Sequence, residues 1–69
     1  MAESVYKVIE LIGSSPESWE KAAQVAVSKA AERLHELRIA EVSEMDLQLD
    51  DGKIIAYRVK VKVSFKFEG

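Results

Sequence analysis

The side chains able to do chemistry sit mostly in the second half of the chain. Glu41, Glu44, Asp46, Asp50 and Asp51 fall within one short stretch. They are hard oxygen donors of the kind that calcium collects in sets of about 6–8. No EF-hand loop orders them, so they make a metal site only where carboxylates of several chains converge on a symmetry axis. The plainer reading is solvated charge. Lys60, Lys62 and Lys66 follow as a basic stripe that either meets acidic neighbours, lines an interior or lies in water, where strand lysines discourage edge-to-edge pairing. His35 is the only histidine, and no nucleophile or partner base is signalled beside it, so its reading is structural. The absence of cysteine removes disulfides and thiolate metal sites, and one histidine does not close a zinc site. Nothing here reads as an enzyme.

The elements that must position these groups are legible from periodicity. From Tyr57 to Phe67 the odd positions are Tyr57, Val59, Val61, Val63, Phe65 and Phe67, while the even ones are Arg58, Lys60, Lys62, Ser64 and Lys66. Alternation of this kind gives a strand with one apolar and one charged face. The preceding strand, Ile39 to Leu49, changes phase midway. Ala40 and Val42 put its apolar face on even positions, whereas Met45, Leu47 and Leu49 put it on odd ones. A period of two cannot do this without a bulge or bend, expected near Ser43-Glu44. The turn is Asp50-Asp51-Gly52-Lys53. An odd-length loop over residues 51–53 keeps apolar residues opposite apolar ones, with Leu49 facing Ile55, Leu47 facing Tyr57 and Met45 facing Val59. On the charged face, Asp46 then stands opposite Arg58 and Glu44 opposite Lys60. The Asp46–Arg58 pair reads either as a remodelled ligand site or, more simply, as an ion pair that holds register.

Val5 to Ile12 is a first strand, apolar at both parities, which implies contact on both faces. Gly13 is expected to end it. Ser15 is then the expected N-cap, with Pro16 at the first helical position and Glu17 and Glu20 at the positive end of the helix dipole. The expected helix runs to about Leu37, with Trp19, Ala23, Ala26, Ala30, Leu34 and Leu37 along one stripe. In that helix His35 would lie near the negative end of the dipole. Small alanines let the helix lie close to a sheet.

With 69 residues and a net charge of −2, the chain reads as one domain over residues 1–69, with neither a basic nucleic-acid surface nor a membrane span. No signal peptide is visible, so a cytoplasmic location is expected. A chain this short buries only about 60% of its unfolded surface, and without disulfides it gains support by oligomerising.

Several strings resemble the dodecin family. They are Val5-Tyr6-Lys7-Val8-Ile9-Glu10-Leu11, then Gly13-Ser14-Ser15-Pro16-Glu17-Ser18-Trp19-Glu20, Ala40-Glu41-Val42, Asp51-Gly52-Lys53 with Tyr57-Arg58-Val59, and Ser64-Phe65. They span nearly the whole chain in the family's order. The resemblance implies an α+β fold, β-α-β-β, with a three-stranded antiparallel sheet wrapped around one helix. It also implies assembly of twelve copies into a hollow shell. The family this chain resembles has many members that bind flavins in stacked pairs at subunit contacts and store them without catalysis, which implies riboflavin or flavin mononucleotide as the default ligand.

The resemblance places three residues of this chain at flavin-contacting positions. Ile39 stands where flavin binders carry a stacking tryptophan, Arg58 where they carry a hydrogen-bonding glutamine, and Asp46 where bacterial binders usually carry an arginine. Isoleucine cannot stack, and guanidinium cannot accept a hydrogen bond as glutamine can. The string Leu37-Arg38-Ile39-Ala40-Glu41-Val42 is more similar to the branch that includes a calcium dodecin. The expected function is a homododecameric shell for small-ligand binding and storage. Its default ligand is flavin, at reduced or lost affinity, with Ile39, Asp46 and Arg58 lining the ligand region. The alternatives are a calcium-binding shell and a purely structural or protein-interaction module.

Overall fold

One strand, one helix and a long hairpin make up the chain, described by a computed structural model over residues 3–67. They are β1 (Tyr6–Ser15), α1 (Trp19–Ala31), β2 (Leu37–Asp50) and β3 (Lys53–Lys66). The sheet is antiparallel in the order β1-β3-β2, so the alternating strand is central and both flanking strands are edges. The β-α-β-β reading therefore holds. The helix covers the apolar face. Val59, Val61 and Val63 are buried against Ala22 and Ala26, and Ile9, Leu11, Trp19, Ala23 and Leu37 pack around them.

β1 does not stop at Gly13 as expected but runs on to Ser15, pairing Gly13 with Val59 and Ser15 with Tyr57. Gly13 is needed for proximity and not for a turn. A Cβ there would lie 2.0 Å from the Ala22 carbonyl oxygen and 3.0 Å from the Ala26 Cβ. The alanine helix lies directly on this glycine.

The helix also begins later and ends earlier than its periodicity suggests. Ser15 is buried in the strand and its Oγ accepts from the Glu17 N–H at 3.0 Å, shaping the turn that holds Pro16 outside the helix. Ser18 is the N-cap, its Oγ accepting from the Lys21 N–H at 3.0 Å. At the other end the Arg33 N–H bonds the Ala30 carbonyl, a tightened last turn, and Glu36 takes φ 60°. This left-handed residue turns the chain back so that Leu37 can pair with Phe65. Leu34 and Leu37 are thus not on the helix, and His35 lies in the connection beyond it.

The bulge expected near Ser43-Glu44 is present, since the register shifts between Val42 and Glu44. The hairpin differs from expectation at its end. Leu49 pairs with Ile54, not Ile55, around a two-residue turn in which Asp51 (φ 53°) and Gly52 (φ 76°) both occupy the left-handed region. A second shift between Gln48 and Leu49 leaves Ile55 as an extra residue. That bulge restores the pairing expected further along, Leu47 with Tyr57 and Met45 with Val59. A third shift, between Leu37 and Ile39, was not signalled.

The molecule is extended, 54 × 20 × 16 Å, with a radius of gyration of 14.2 Å, against about 11 Å for a compact chain of this length. The hairpin runs past the helix. Val5, Tyr6 and Val8 at one end, Leu47, Leu49, Ile54 and Ile55 at the other, and Ile12 on the edge strand between them, stay exposed.

Candidate functional site

The face of the sheet away from α1 carries the candidate residues, and the bulges decide which ones it carries. Without Ser43 as an extra residue, Glu41 and Glu44 would point to opposite faces. With it, Glu41 pairs with Lys62, Glu44 with Lys60 and Asp46 with Arg58, all on one side. Ser43 also steadies the irregularity, its Oγ donating to the Lys60 carbonyl at 3.2 Å.

Asp46 and Arg58 form a two-pronged pair. The Arg58 Nε donates to Asp46 Oδ1 at 2.8 Å, and Nη2 donates to Oδ2 at 3.0 Å. This planar fork fixes both side chains. The hydrogen bond from Arg58, its charge, and more weakly that of Lys60, hold the Asp46 carboxyl below its ordinary range. The same hydrogen bond and the Asp46 charge raise Arg58. Both groups face solvent, so the pair is worth little in stability and more in orientation.

The basic stripe is matched from both sides. Lys60 Nζ lies 3.6 Å from Glu44 Oε1, and Lys62 Nζ lies 4.0 Å from Glu10 Oε2 on β1. β3 therefore runs as a basic row between acidic flanks. Of the three residues that the family resemblance places in the ligand region, the structure brings Asp46 and Arg58 together and leaves Ile39 apart. Ile39 pairs with Ser64, is 67% exposed, and borders a small cleft of about 190 Å³ with Val27, Leu37 and Arg38. Along β3, Ser64 and Arg58 are roughly 20 Å apart at ~3.3 Å per residue. The three do not form one pocket within a single chain.

Calcium fits one chain poorly as well. Among the described residues no three acidic, histidine or cysteine side chains gather around a common point. Glu44 and Asp46 are already held by cations, and Asp50 and Asp51 stand at the hairpin tip. A set of about 6–8 oxygens needs carboxylates from more than one copy.

Sequence reasoning missed the link between this face and the core. The Trp19 ring meets Tyr57 edge-on, with centroids 5.2 Å apart at 74°, and its Nε1 donates to the Asp46 backbone carbonyl at 3.4 Å. The helix start thus anchors the strand segment that presents the ion pair. A lone tryptophan in the first helical turn was the only signal for this.

Comparison with known proteins agrees with this architecture. The family model described as Dodecin matches residues 5–68. The calcium dodecin of Mycobacterium tuberculosis is 51% identical over 63 residues, covering 91% of this chain and 89% of that protein. Its crystal structure, described as that of a calcium-chelating antigen with a novel calcium-binding site, superposes with a TM-score of 0.85 at 49% identity, covering 94% of this chain and 93% of that one. The dodecin of Thermus thermophilus is 36% identical over 64 residues, covering 93% of each. The structure of Streptomyces coelicolor dodecin gives a TM-score of 0.93 at 32% identity, covering 100% of this chain and 99% of that one.

Proposed function

This chain belongs to the dodecin family, and from that premise we propose that it is a non-enzymatic small-ligand binding and storage protein that works as a homododecameric shell in the cytoplasm. One observation carries the reading. The isolated chain exposes 5296 Å², whereas a compact protein of 7.7 kDa exposes about 4,300 Å². The excess is of the order that one protein buries in a standard interface, ~800 Å². It includes apolar side chains from both ends of the sheet. Copies of the same chain are the partner the family supplies. Ligands then sit where copies meet.

In this reading flavin is held more weakly than in dodecins with the stacking tryptophan. Ile39 offers no aromatic face, and the Arg58 guanidinium is already spent on Asp46. Titration of riboflavin and flavin mononucleotide, followed by fluorescence quenching alongside the solution mass, tests this. A dodecameric mass with weak quenching is expected, and a monomeric mass overturns the shell.

A second reading is favoured by the 51% identity to a calcium dodecin. Here the carboxylates Glu41, Glu44 and Asp50 of β2 and Asp51 of the turn, from neighbouring copies, share calcium. Melting with calcium and with a chelator tests it, because an ion bound only by the folded protein raises the melting temperature. Equal melting in both would remove calcium as the ligand.

A further inference from the structure

On the helix side of the sheet the core leaves one apolar cleft unfilled. It measures about 340 Å³ and lies between β1 and the end of α1, lined by Ile9, Leu11, Ala30 and Leu34, with Lys29 and Arg33 at its border. Ile9 and Leu11 pair with Val63 and Val61 and pack on the core, so these walls continue the covered face of the sheet, away from the Asp46–Arg58 pair. Ala30 leaves the room: it is buried, and its side chain ends at Cβ. A cleft of this size, with apolar walls and a few polar groups at one end, has the make-up of a small-molecule site.

Its polar end is basic. A second cleft, of about 650 Å³, shares Arg33 and Leu34 with the first and adds Lys7, His35 and Lys66, with Glu36 and the rings of Phe65 and Phe67. The carboxylates here are engaged. Glu36 accepts from Arg38 at 2.5 Å, and Glu32 lies 3.7 Å from Lys29. Lys7, Arg33 and Lys66 have no carboxylate partner among the described residues. Positive charge is therefore in excess where the two clefts meet.

We propose that the joined clefts bind one free fatty acid, its acyl chain against Ile9, Leu11, Ala30 and Leu34 and its carboxylate on the Arg33 guanidinium, with Lys7 and Lys66 adding charge. Arg33 stands at the junction, where an apolar wall gives way to a basic one. Its planar fork matches a carboxylate with two parallel hydrogen bonds. The chain supplies affinity through buried area, up to about fourfold per methylene. A neutral alcohol of the same length fills the apolar cleft but leaves the guanidinium without an anion. A short carboxylate does the reverse. The site uses neither the charged sheet face nor the β2 carboxylates, so the flavin and calcium readings stand or fall without it.

Isothermal titration of the full chain, in the assembly state it holds in solution, tests this with hexanoate, octanoate, decanoate and dodecanoate, and with octanol as the uncharged control. Saturable binding is expected, with a dissociation constant that falls as the chain lengthens and with octanol about tenfold or more weaker than octanoate. Arg33→Glu should weaken dodecanoate by at least a similar factor. Lys21→Glu makes the same charge change at the opposite end of α1 and should leave binding unchanged. Both positions are exposed, and circular dichroism establishes that each variant folds. Absence of saturable binding, octanol binding as tightly as octanoate, or equal effects of the two variants overturns the proposal. If Arg33→Glu does not fold, the length series and the octanol comparison on the wild type decide alone.

Discussion

Replacing Gly13 with alanine should destabilise the protein severely, although the backbone there permits alanine. The described glycine with positive φ is Gly52, so Gly13→Ala meets no left-handed strain. Its whole cost is steric. The new Cβ would sit 2.0 Å from the Ala22 oxygen and 3.0 Å from both the Ala22 carbonyl carbon and the Ala26 Cβ. Relaxed contacts lie near ~3.5 Å, so the helix backbone must retreat by about 1.5 Å. That retreat opens the seam between Ala22, Ala26 and the valines of β3, and a gap of ~1 Å already forfeits up to half of each dispersion contact. The expected loss is about 2–3 kcal/mol, the upper part of the overpacking range. For 69 residues the total stability is about 3–10 kcal/mol, so this one methyl removes a large share. Urea unfolding checks it, with the midpoint shift read at unchanged slope and at several protein concentrations, because assembly adds to apparent stability. A loss under ~1 kcal/mol would refute the close-contact argument. Gly52→Ala is the contrast. Nothing lies within 4 Å of its Cβ, so only left-handed strain of about 1 kcal/mol is expected.

Three further outcomes follow from the charged face. Ile39→Trp combined with Arg58→Gln should strengthen flavin binding by about 1–3 kcal/mol, the sum of one stacking contact and one hydrogen bond, or roughly 5–150-fold in dissociation constant. Unchanged fluorescence quenching would mean that these positions do not contact the ring. Asp46→Asn should lower the melting temperature at neutral pH and leave it nearly unchanged in strong acid. The Asp46 carboxyl is depressed below 3.8 by the Arg58 hydrogen bond, so its contribution is present above that pH and fades as pH falls through the folded value. An equal effect of the variant at both pH values would contradict this. On the calcium reading, calcium at a hundredfold excess over its dissociation constant should add about 2.7 kcal/mol of apparent stability, and chelation should remove it. A melting curve indifferent to both excludes that ligand.

The sequence made the central strand and its neighbours readable because one rule, alternation, governs a strand covered on one face. From Met45 to Glu44 and from Leu47 to Asp46, the pairing with β3 follows from matching apolar to apolar and charge to charge. The phase change that announced the Ser43 bulge is the same rule failing locally. The turn was misplaced because two irregularities offset each other: a two-residue turn shifts the register by one, and the Ile55 bulge shifts it back. The helix end was invisible for another reason. No glycine or proline marks it, and Glu36 adopts its left-handed φ so that Leu37 can join β3, a tertiary demand with no local signature. Gly13 was visible but ambiguous, since a glycine that ends a strand and one that admits a helix look alike in sequence. At the candidate site, cross-strand arithmetic supplied Asp46 opposite Arg58. Ile39 came from the family resemblance alone, and the Trp19 hydrogen bond to the Asp46 carbonyl left no trace in spacing.

On the proposed shell reading, binding and assembly in this protein are one problem. A single chain places Ile39 roughly six rungs from the Asp46–Arg58 pair and gathers no three acidic groups among its described residues, so neither a flat ring nor a hard cation finds enough partners there. Yet these residues share one sheet face, and each end of the chain displays apolar side chains that its own core cannot cover. Bringing a second copy against such surfaces hides apolar area at roughly 25 cal/mol per Å². In a symmetric contact, it also sets residue i of one copy against residue j of the other, and j against i. Residues separated along one strand then become neighbours across the interface. In that reading, the burial that stabilises a marginal subunit is what concentrates the scattered candidate residues, and a ligand recognised there must dissociate when the copies do.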